Sequence, residues 1–600
     1  MDLARFLTIT TCLAALAGGG LTTVGPAASQ EAMECGLTTL QATIIDTDDD
    51  GILECGPGQP LFVREDLVDA SRSRAARRSP LVSFFTLADL QFADEESPLR
   101  GEWADKCGDH AATAAFRPHE TMVGQMLNAH VQAANRIAAS GSPILDAPFD
   151  FSIALGDLAD NQHYNETRFF IDVLDGEKLV DPDSGADGYD GVQSADPEGS
   201  PEHPLISPVQ GERILDLANE PFWAPGLRNA DGSLIPWYSL MGNHDMKVQG
   251  TVADDNPQWR AFVRAYAVGG LKVMDLAPDK QQEACQGGFT DPEFWMELAA
   301  SPGTTQPVPA DPDRRLLDRA DWIQEHFTTT GIPIGHGFGG RRCPSDSPPQ
   351  FARACYSWNH GPFRFIGLDT NAAEGLEEGN IDEAQFEWLE DELTSVSRTY
   401  YDEAGNRVEN PGATNKLVVI AAHHPNVSLH NTGPRTGSDP GTRGQIYTAE
   451  DLEELLLRFP NVILQVDGHT HRNKIWLHRN DERGTAYWEV NTSAVADYPT
   501  QSRTIEIADN RDGTLSIFAV TFDAASPPNP REIGWTVDDM TRESTLGGVR
   551  DVNEDWLASA GREVQFHDPQ QDFGKLGEPE DRNVELLIRA PFKIRSGKRP

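Results

Sequence analysis

Basic residues are scarce in this sequence. Its 600 residues carry 49 Lys and Arg against 94 Asp and Glu, a formal net charge of −45, and that shortage excludes a surface drawn to duplex nucleic acid or to an anionic membrane. The acid excess reads as a solvated surface that keeps the chain in solution. CxxC pairs are absent, so the spacing of a structural zinc site is missing. No repeat period appears, which excludes a solenoid or a propeller. Cysteine is sparse, with seven residues in all.

What is present begins with one basic residue, Arg5, an apolar run from Phe6 to Leu21, and the small residues Ala27, Ala28 and Ser29. This order predicts a secretory signal over residues 1–29 and a secreted or periplasmic location, with no stable membrane anchor after cleavage. Gly18, Gly19 and Gly20 interrupt the run and weaken the competing reading of an uncleaved anchor. Removing the signal takes Cys12 with it and leaves Cys35, Cys55, Cys107, Cys285, Cys343 and Cys355. An even set in an exported chain implies disulfides. The short separations favour Cys35 with Cys55 and Cys343 with Cys355, leaving Cys107 for Cys285.

Hydropathy patterning divides the chain. Residues 30–78 pass from an acidic turn-rich stretch at 46–51 to a basic run at 71–78 and read as a leader or linker. Short apolar runs of strand length follow at 81–87, 151–155, 235–240, 363–368, 417–422 and 461–466. Helical spacing of apolar residues marks 119–139 and 449–459. Alternating strands cluster at 474–478, 486–490, 503–507 and 515–522. Strand and helix alternate early and strands cluster late, which predicts an α/β fold: a two-sheet β-sandwich flanked by helices over residues 79–522. Residues 181–208 are dense in Asp, Gly, Ser and Pro and read as an inserted loop. Residues 523–600 read as a wrapping tail with ordered pieces only at 556–560 and 584–591.

Polar residues of one chemical type gather where the predicted strands stop. Asp89-Leu90-Gln91 follows the first, Gly156-Asp157-Leu158-Ala159-Asp160-Asn161 the second and Gly242-Asn243-His244-Asp245 the third. His423-His424-Pro425 and Gly468-His469-Thr470-His471 follow two later ones. Open α/β sheets collect ligands at the carboxyl ends of their strands, where loop main chain is not all committed to the ladder.

In these blocks the chain resembles the calcineurin-like metallophosphoesterase superfamily, whose motifs run D-x-H, G-D-x-x, G-N-H-[DE], a His before x-Pro, and G-H-x-H. The resemblance implies a secreted phosphoesterase that hydrolyses a small-molecule phosphate ester by a metal-bound hydroxide. Two divalent or trivalent ions (Mn, Fe, Zn or Mg) are implied, the first held by Asp89, Asp157 and His471, the second by Asp157, Asn243, His423 and His469. Asp157 bridges them, as a two-metal clamp on a phosphoryl oxygen requires. The resemblance also implies His244 as the proton donor to the transferring oxygens, oriented by Asp160. Gln91 departs from the pattern: it stands where the motif has His, and a neutral amide oxygen is a weaker donor than imidazole. Asn161 stands where protein phosphatases have an Arg that grips phosphate, which disfavours a phosphoprotein substrate.

Other residues have weaker claims. Arg341 and Arg342, in a Gly-rich loop, are candidate phosphate-binding cations because the guanidinium fork suits phosphate oxygens. Asn161 is a further candidate substrate contact. His424 adjoins a ligand, but neighbouring side chains on an extended strand face opposite ways, so it reads as packing. Phe386 and Trp388 read as helix core. A phosphodiesterase and a binding-only relative without turnover are the alternative readings.

Overall fold

The computed structural model describes residues 35–45, 54–107, 115, 117, 120–185, 221–253, 257–288, 291–344, 352–373, 375–432, 444–525 and 574–594. The expected signal at 1–29, the acidic stretch at 46–51, the bulk of the 181–208 insertion and the piece at 556–560 lie outside them.

Fourteen strands build two sheets of seven. They are β1 Phe62–Arg64, β2 Ser79–Leu87, β3 Phe151–Ala154, β4 Trp237–Ser239, β5 Arg341–Arg342, β6 Tyr356–His360 and β7 Phe363–Gly367. After these come β8 Leu417–Ala421, β9 Val462–Asp467, β10 Lys474–Asn480, β11 Thr485–Asn491, β12 Gln501–Asp509, β13 Thr514–Asp523 and β14 Val584–Arg589. The first sheet runs β1-β14-β13-β12-β2-β3-β4 and the second β5-β6-β7-β8-β9-β11-β10. Within them β2, β3 and β4 are parallel, as are β7, β8, β9 and β11. Each parallel run needs crossovers, and helices α1 Val123–Ser140 and α2 Tyr164–Asp175 supply two for the first sheet. Helices α3 Glu383–Ser395 and α4 Ala449–Leu457 do the same for the second.

The period of two along the central strands sorts their side chains. On β8, Leu417, Val419 and Ala421 enter the core between the sheets, while Val418 and Ile420 pack outward with Leu389 of α3 and Leu452 of α4. Phe84 of β2 stacks on Phe151 of β3 at 5.2 Å between ring centroids, and Phe365 of β7 meets Phe151 edge-on at 5.1 Å, joining the sheets. The Tyr356 hydroxyl on β6 donates to the Ser239 carbonyl on β4 at 2.8 Å.

The expected helix at 119–139 is present as α1, preceded by a 3-10 turn at Glu120–Met122. The expected leader and tail each supply a strand, because β14 pairs with β13 and β1 pairs in parallel with β14. The insertion is not solvated from its start. Ser184 is buried, and its hydroxyl meets Asp94 at 2.9 Å and Glu96 at 3.0 Å. Three disulfides, Cys35–Cys55, Cys107–Cys285 and Cys343–Cys355, follow the favoured pairing. Cys107–Cys285 ties residues 99–107 to a lobe inserted between β4 and β5, whose separate apolar cluster includes Trp103, Val248, Trp259, Phe294 and Trp295. Among the described residues no helix is long and apolar enough to cross a membrane.

Candidate metal centre

The two parallel strand runs end on the same side, and the blocks predicted from sequence meet there. Main-chain bonds lock the loops together: Asp89 N–H donates to Gly156 O, Gln91 N–H to Asp157 O, and Gly468 N–H to His423 O. Asp89, Gln91, Asp157, His469 and His471 all take positive φ, between 41° and 68°. Non-glycine residues pay about 1–3 kcal/mol each for such backbone, a cost that persists where surrounding contacts over-determine it, as at ligand clamps. Two glycines make the approach possible. A Cβ on Gly242 would overlap Asp157 N and Oδ1, and one on Gly156, at φ 97°, would lie 2.7 Å from His423 Nδ1.

Of the residues expected around the second ion, Asp157, Asn243 and His423 meet directly, while a donor atom of His469 lies within 4.8 Å of ones on His423 and His424. His423 Nδ1–H donates to Leu155 O at 2.9 Å, which turns Nε2 toward Asn243 Oδ1 at 3.0 Å and Asp157 Oδ1 at 3.3 Å. With Nδ1 committed to a carbonyl, Nε2 points at two oxygens that have no proton of their own, so the space between them takes either a proton on Nε2 or a cation that replaces it. Burial lowers the proton affinity of His423, but the Asp157 charge overrides it and lifts its pKa to about 9. Burial alone would raise the Asp157 carboxyl, yet His423, His244 and His469 hold it well below the usual range. His469, by contrast, is pushed well below its ordinary value by desolvation and by the His424 and His423 rings.

In the first half-site, Asp89 accepts from His469 N–H through Oδ1 at 3.1 Å and Oδ2 at 2.9 Å, and its Oδ1 lies 3.4 Å from His471 Nε2. One donor atom from each of Asp89, Asp157 and His423 lies within 4.8 Å of the other two, so the half-sites share an edge. His471 Nδ1 is 2.6 Å from Asp497 Oδ2, a carboxylate backing of the kind that orients ligating imidazoles. Gln91 differs. Its Oε1 accepts from Arg117 Nη2, and Arg117 Nε also donates to Asp497 Oδ1 at 3.1 Å.

His244 Nδ1 meets the main-chain carbonyl of Asp160 at 2.8 Å, which requires that Nδ1 carry the proton and leaves Nε2 as the exchanging atom. The orientation expected of the Asp160 carboxylate therefore falls to its peptide oxygen. The carboxylate itself, 3.5 Å from Nδ1 through Oδ1, is ion-paired to buried Arg100. Burial, reinforced by Arg117 and Arg100 against the pull of Asp157, lowers the His244 pKa to about 4.

Several predicted residues have other commitments. Asn161 Oδ1 accepts from Gln249 N–H at 2.7 Å, leaving its amide nitrogen 3.5 Å from His163 Nε2. Arg341 and Arg342 form β5 at the edge of the second sheet, three strands from β8, or roughly 14 Å at about 4.8 Å per strand. Arg341 pairs with Glu392 at 2.5 Å and Arg342 donates to Arg353 O at 3.5 Å, so the fold does not bring them to the constellation. His424 Nε2–H donates to Glu377 O at 2.9 Å and its Nδ1 accepts from the Thr370 hydroxyl at 2.8 Å, while a donor atom of the same ring lies within 4.8 Å of ones on His423 and His469. Phe386 stacks on Tyr447 at 3.8 Å and Trp388 is buried.

Asp245, the last residue of the G-N-H-D block, carries a role that the block's spelling did not reveal. Its Oδ1 accepts from Leu158 N–H at 3.1 Å and Ala159 N–H at 2.9 Å, and Oδ2 from Gly242 N–H at 2.8 Å, clamping the Asp157 loop to the Asn243 loop. Burial and the Asp157 charge raise its pKa to about 7. Asp245→Ala is expected to destabilise the chain by about 1–3 kcal/mol for each of these buried donors left unpaired, read as a lower urea midpoint. Asp245→Asn, which keeps the acceptor Oδ1, should lose less.

No protein-family model matches the chain, and no curated protein matches it. GAP50, the anchor in the inner membrane complex of Plasmodium, is 11% identical, with 74% of this chain and 85% of that one covered and a TM-score of 0.24. The purple acid phosphatase PPD1 from yellow lupin (Lupinus luteus) seeds is 12% identical over 78% of this chain and 54% of its own length, with a TM-score of 0.26. The sulfate thiohydrolase SoxB of Termus thermophilus is 9% identical over 81% of this chain and 62% of its own, also with a TM-score of 0.26. The chain thus covers less than two thirds of the last two.

Proposed function

We propose that the chain is an exported, metal-dependent phosphoesterase acting on small-molecule phosphate esters. The observation that carries this reading is the convergence of Asp89, Asp157, Asn243, His423, His469 and His471 at the carboxyl ends of two parallel strand runs, with Asp157 on the shared edge. Divalent cations bound there supply Lewis-acid activation of water and of the phosphoryl group. Asp157, Asn243, His423 and His469 would hold one ion, and Asp89, Asp157 and His471 are the donors for another. His244, fixed through Nδ1 on Asp160 O, exchanges a proton at Nε2 with the attacking or leaving oxygen. This proton-exchanging ring supports turnover over binding alone. Three disulfides support an oxidising compartment.

Hydrolysis of p-nitrophenyl phosphate and bis-p-nitrophenyl phosphate by the chelator-stripped chain, titrated with Mn2+, Zn2+, Fe2+, Mg2+ or Ca2+, tests the reading. Turnover lost with chelator and restored by metal is the expected result, and the monoester to diester ratio identifies the substrate class. Metal binding without turnover on either ester would favour the binding-only alternative.

A further inference from the structure

Gln91 takes the place of a ligating histidine, and the fold fills the space beside it with a fixed cation. Arg117 is 2% exposed. Its guanidinium donates through Nη2 to Gln91 Oε1 and through Nε to Asp497 Oδ1 at 3.1 Å, and its Nη1 lies 3.8 Å from Asp160 Oδ1. Asp497 is the carboxylate that backs His471, so one side chain engages both the substituted position and the support of the first half-site's imidazole. Lys575 Nζ adds a second cation on Asp497 Oδ2 at 2.9 Å. The second half-site is backed differently: His423 donates to the neutral Leu155 carbonyl and Asn243 donates to the neutral Gly250 carbonyl at 3.2 Å.

Three consequences follow from ordinary electrostatics. The Gln91 oxygen, already accepting from a guanidinium, is a poorer donor to an ion. The Asp497 carboxylate that orients His471 also accepts from Arg117 and Lys575, so less of its charge is left to a cation bound there. The Arg117 guanidinium, shared with Asp497, keeps positive charge beside the first half-site and opposes a dication there. Resting on the phosphoesterase reading, we propose that the two half-sites are unequal by construction. The chain retains one divalent ion, in the second half-site, and Arg117 is a positioning residue that supplies from the first half-site part of the charge a second tightly held ion would bring.

Metal content per chain tests this independently of turnover. The stripped full-length protein is dialysed to equilibrium against low-micromolar Mn2+ and its bound metal is counted by mass spectrometry, with calorimetry reading the weaker site at higher concentration. One retained equivalent, with a second binding much more weakly, is expected. Two retained equivalents would overturn the inference and leave the phosphoesterase reading standing, whereas none would overturn both. Arg117→Met is expected to tighten the weaker site by about 10- to 100-fold, the scale on which groups behind metal ligands act. Arg117→Lys, which keeps the charge, should leave the count at one. An unchanged weaker site in folded Arg117→Met would overturn the inference.

Discussion

Asp157→Ala is expected to abolish turnover while leaving the fold in place. Its Oδ1 accepts from His244 N–H at 2.8 Å and lies 3.3 Å from His423 Nε2, and the carboxylate has an oxygen within 4.8 Å of one on Asp89, so it stands between the half-sites and holds the loop that carries the proton-exchanging ring. Losing it weakens every cation that stabilises charge on the phosphoryl group. Such stabilisation is worth several kcal/mol, so kcat/KM is expected to fall by about 10³-fold or more. The fold should tolerate the change, because the loop main chain stays held by Gln91 N–H on Asp157 O at 2.8 Å and by the Asp245 clamp. Removing the carboxylate also relieves its buried charge beside Asp245. Steady-state kinetics on the better of the two nitrophenyl esters, paired with a metal count, checks this. Unchanged turnover would end the proposal that Asp157 is shared between two half-sites.

Phe365→Ala is expected to be the most destabilising single change in the core. The ring is fully buried on β7 and meets Phe84 edge-on at 5.7 Å, Phe151 at 5.1 Å and Trp358 at 5.0 Å, so it contacts β2, β3 and β6 at once. Deleting it removes apolar burial and leaves a cavity that two hydrogen-bonded sheets cannot collapse to fill, at a cost of about 3–5 kcal/mol. The denaturation midpoint should fall with little change in slope. Phe365→Leu, which refills much of the volume, should cost less. Well below the transition, the metal count of both variants should match the unsubstituted chain, because the donors sit on loops beyond the strand ends.

The central strands were legible because each is an apolar run of the right length, and those at 151–155, 235–240, 417–422 and 461–466 stop within two residues of a Gly-Asp, Gly-Asn, His-His or Gly-His block. The late strands show the limit of such reading. β10 and β11 join the second sheet, whereas β12 and β13 cross to the first, where β12 pairs antiparallel with β2. Alternation along a strand specifies which side chains are buried, but it does not say which sheet receives them. The edge strand β1 and its neighbour β14 were harder still, since they lie in segments whose polar composition reads as leader or tail, and of the two only the apolar piece at 584–591 was legible as ordered.

The candidate site belongs to the sequence in a strong sense: the proposed metal donors Asp89, Asp157, Asn243, His423, His469 and His471, and the proton-exchanging His244, are recognisable within short blocks, because a functional side chain at a strand end needs specific neighbours within a few residues. The substitution at Gln91 was equally visible there. What surrounds those donors was decided only by the tertiary structure. Arg117 meets Asp497 across 380 positions, Lys575 reaches the same carboxylate across 78, and Arg341 and Arg342 end on a distant edge strand. Backbone geometry is encoded locally, so a loop that points a carboxylate leaves a local signature. The electrostatic setting of that carboxylate is the sum over charges the folded chain brings within a few ångströms, and no local pattern carries that sum.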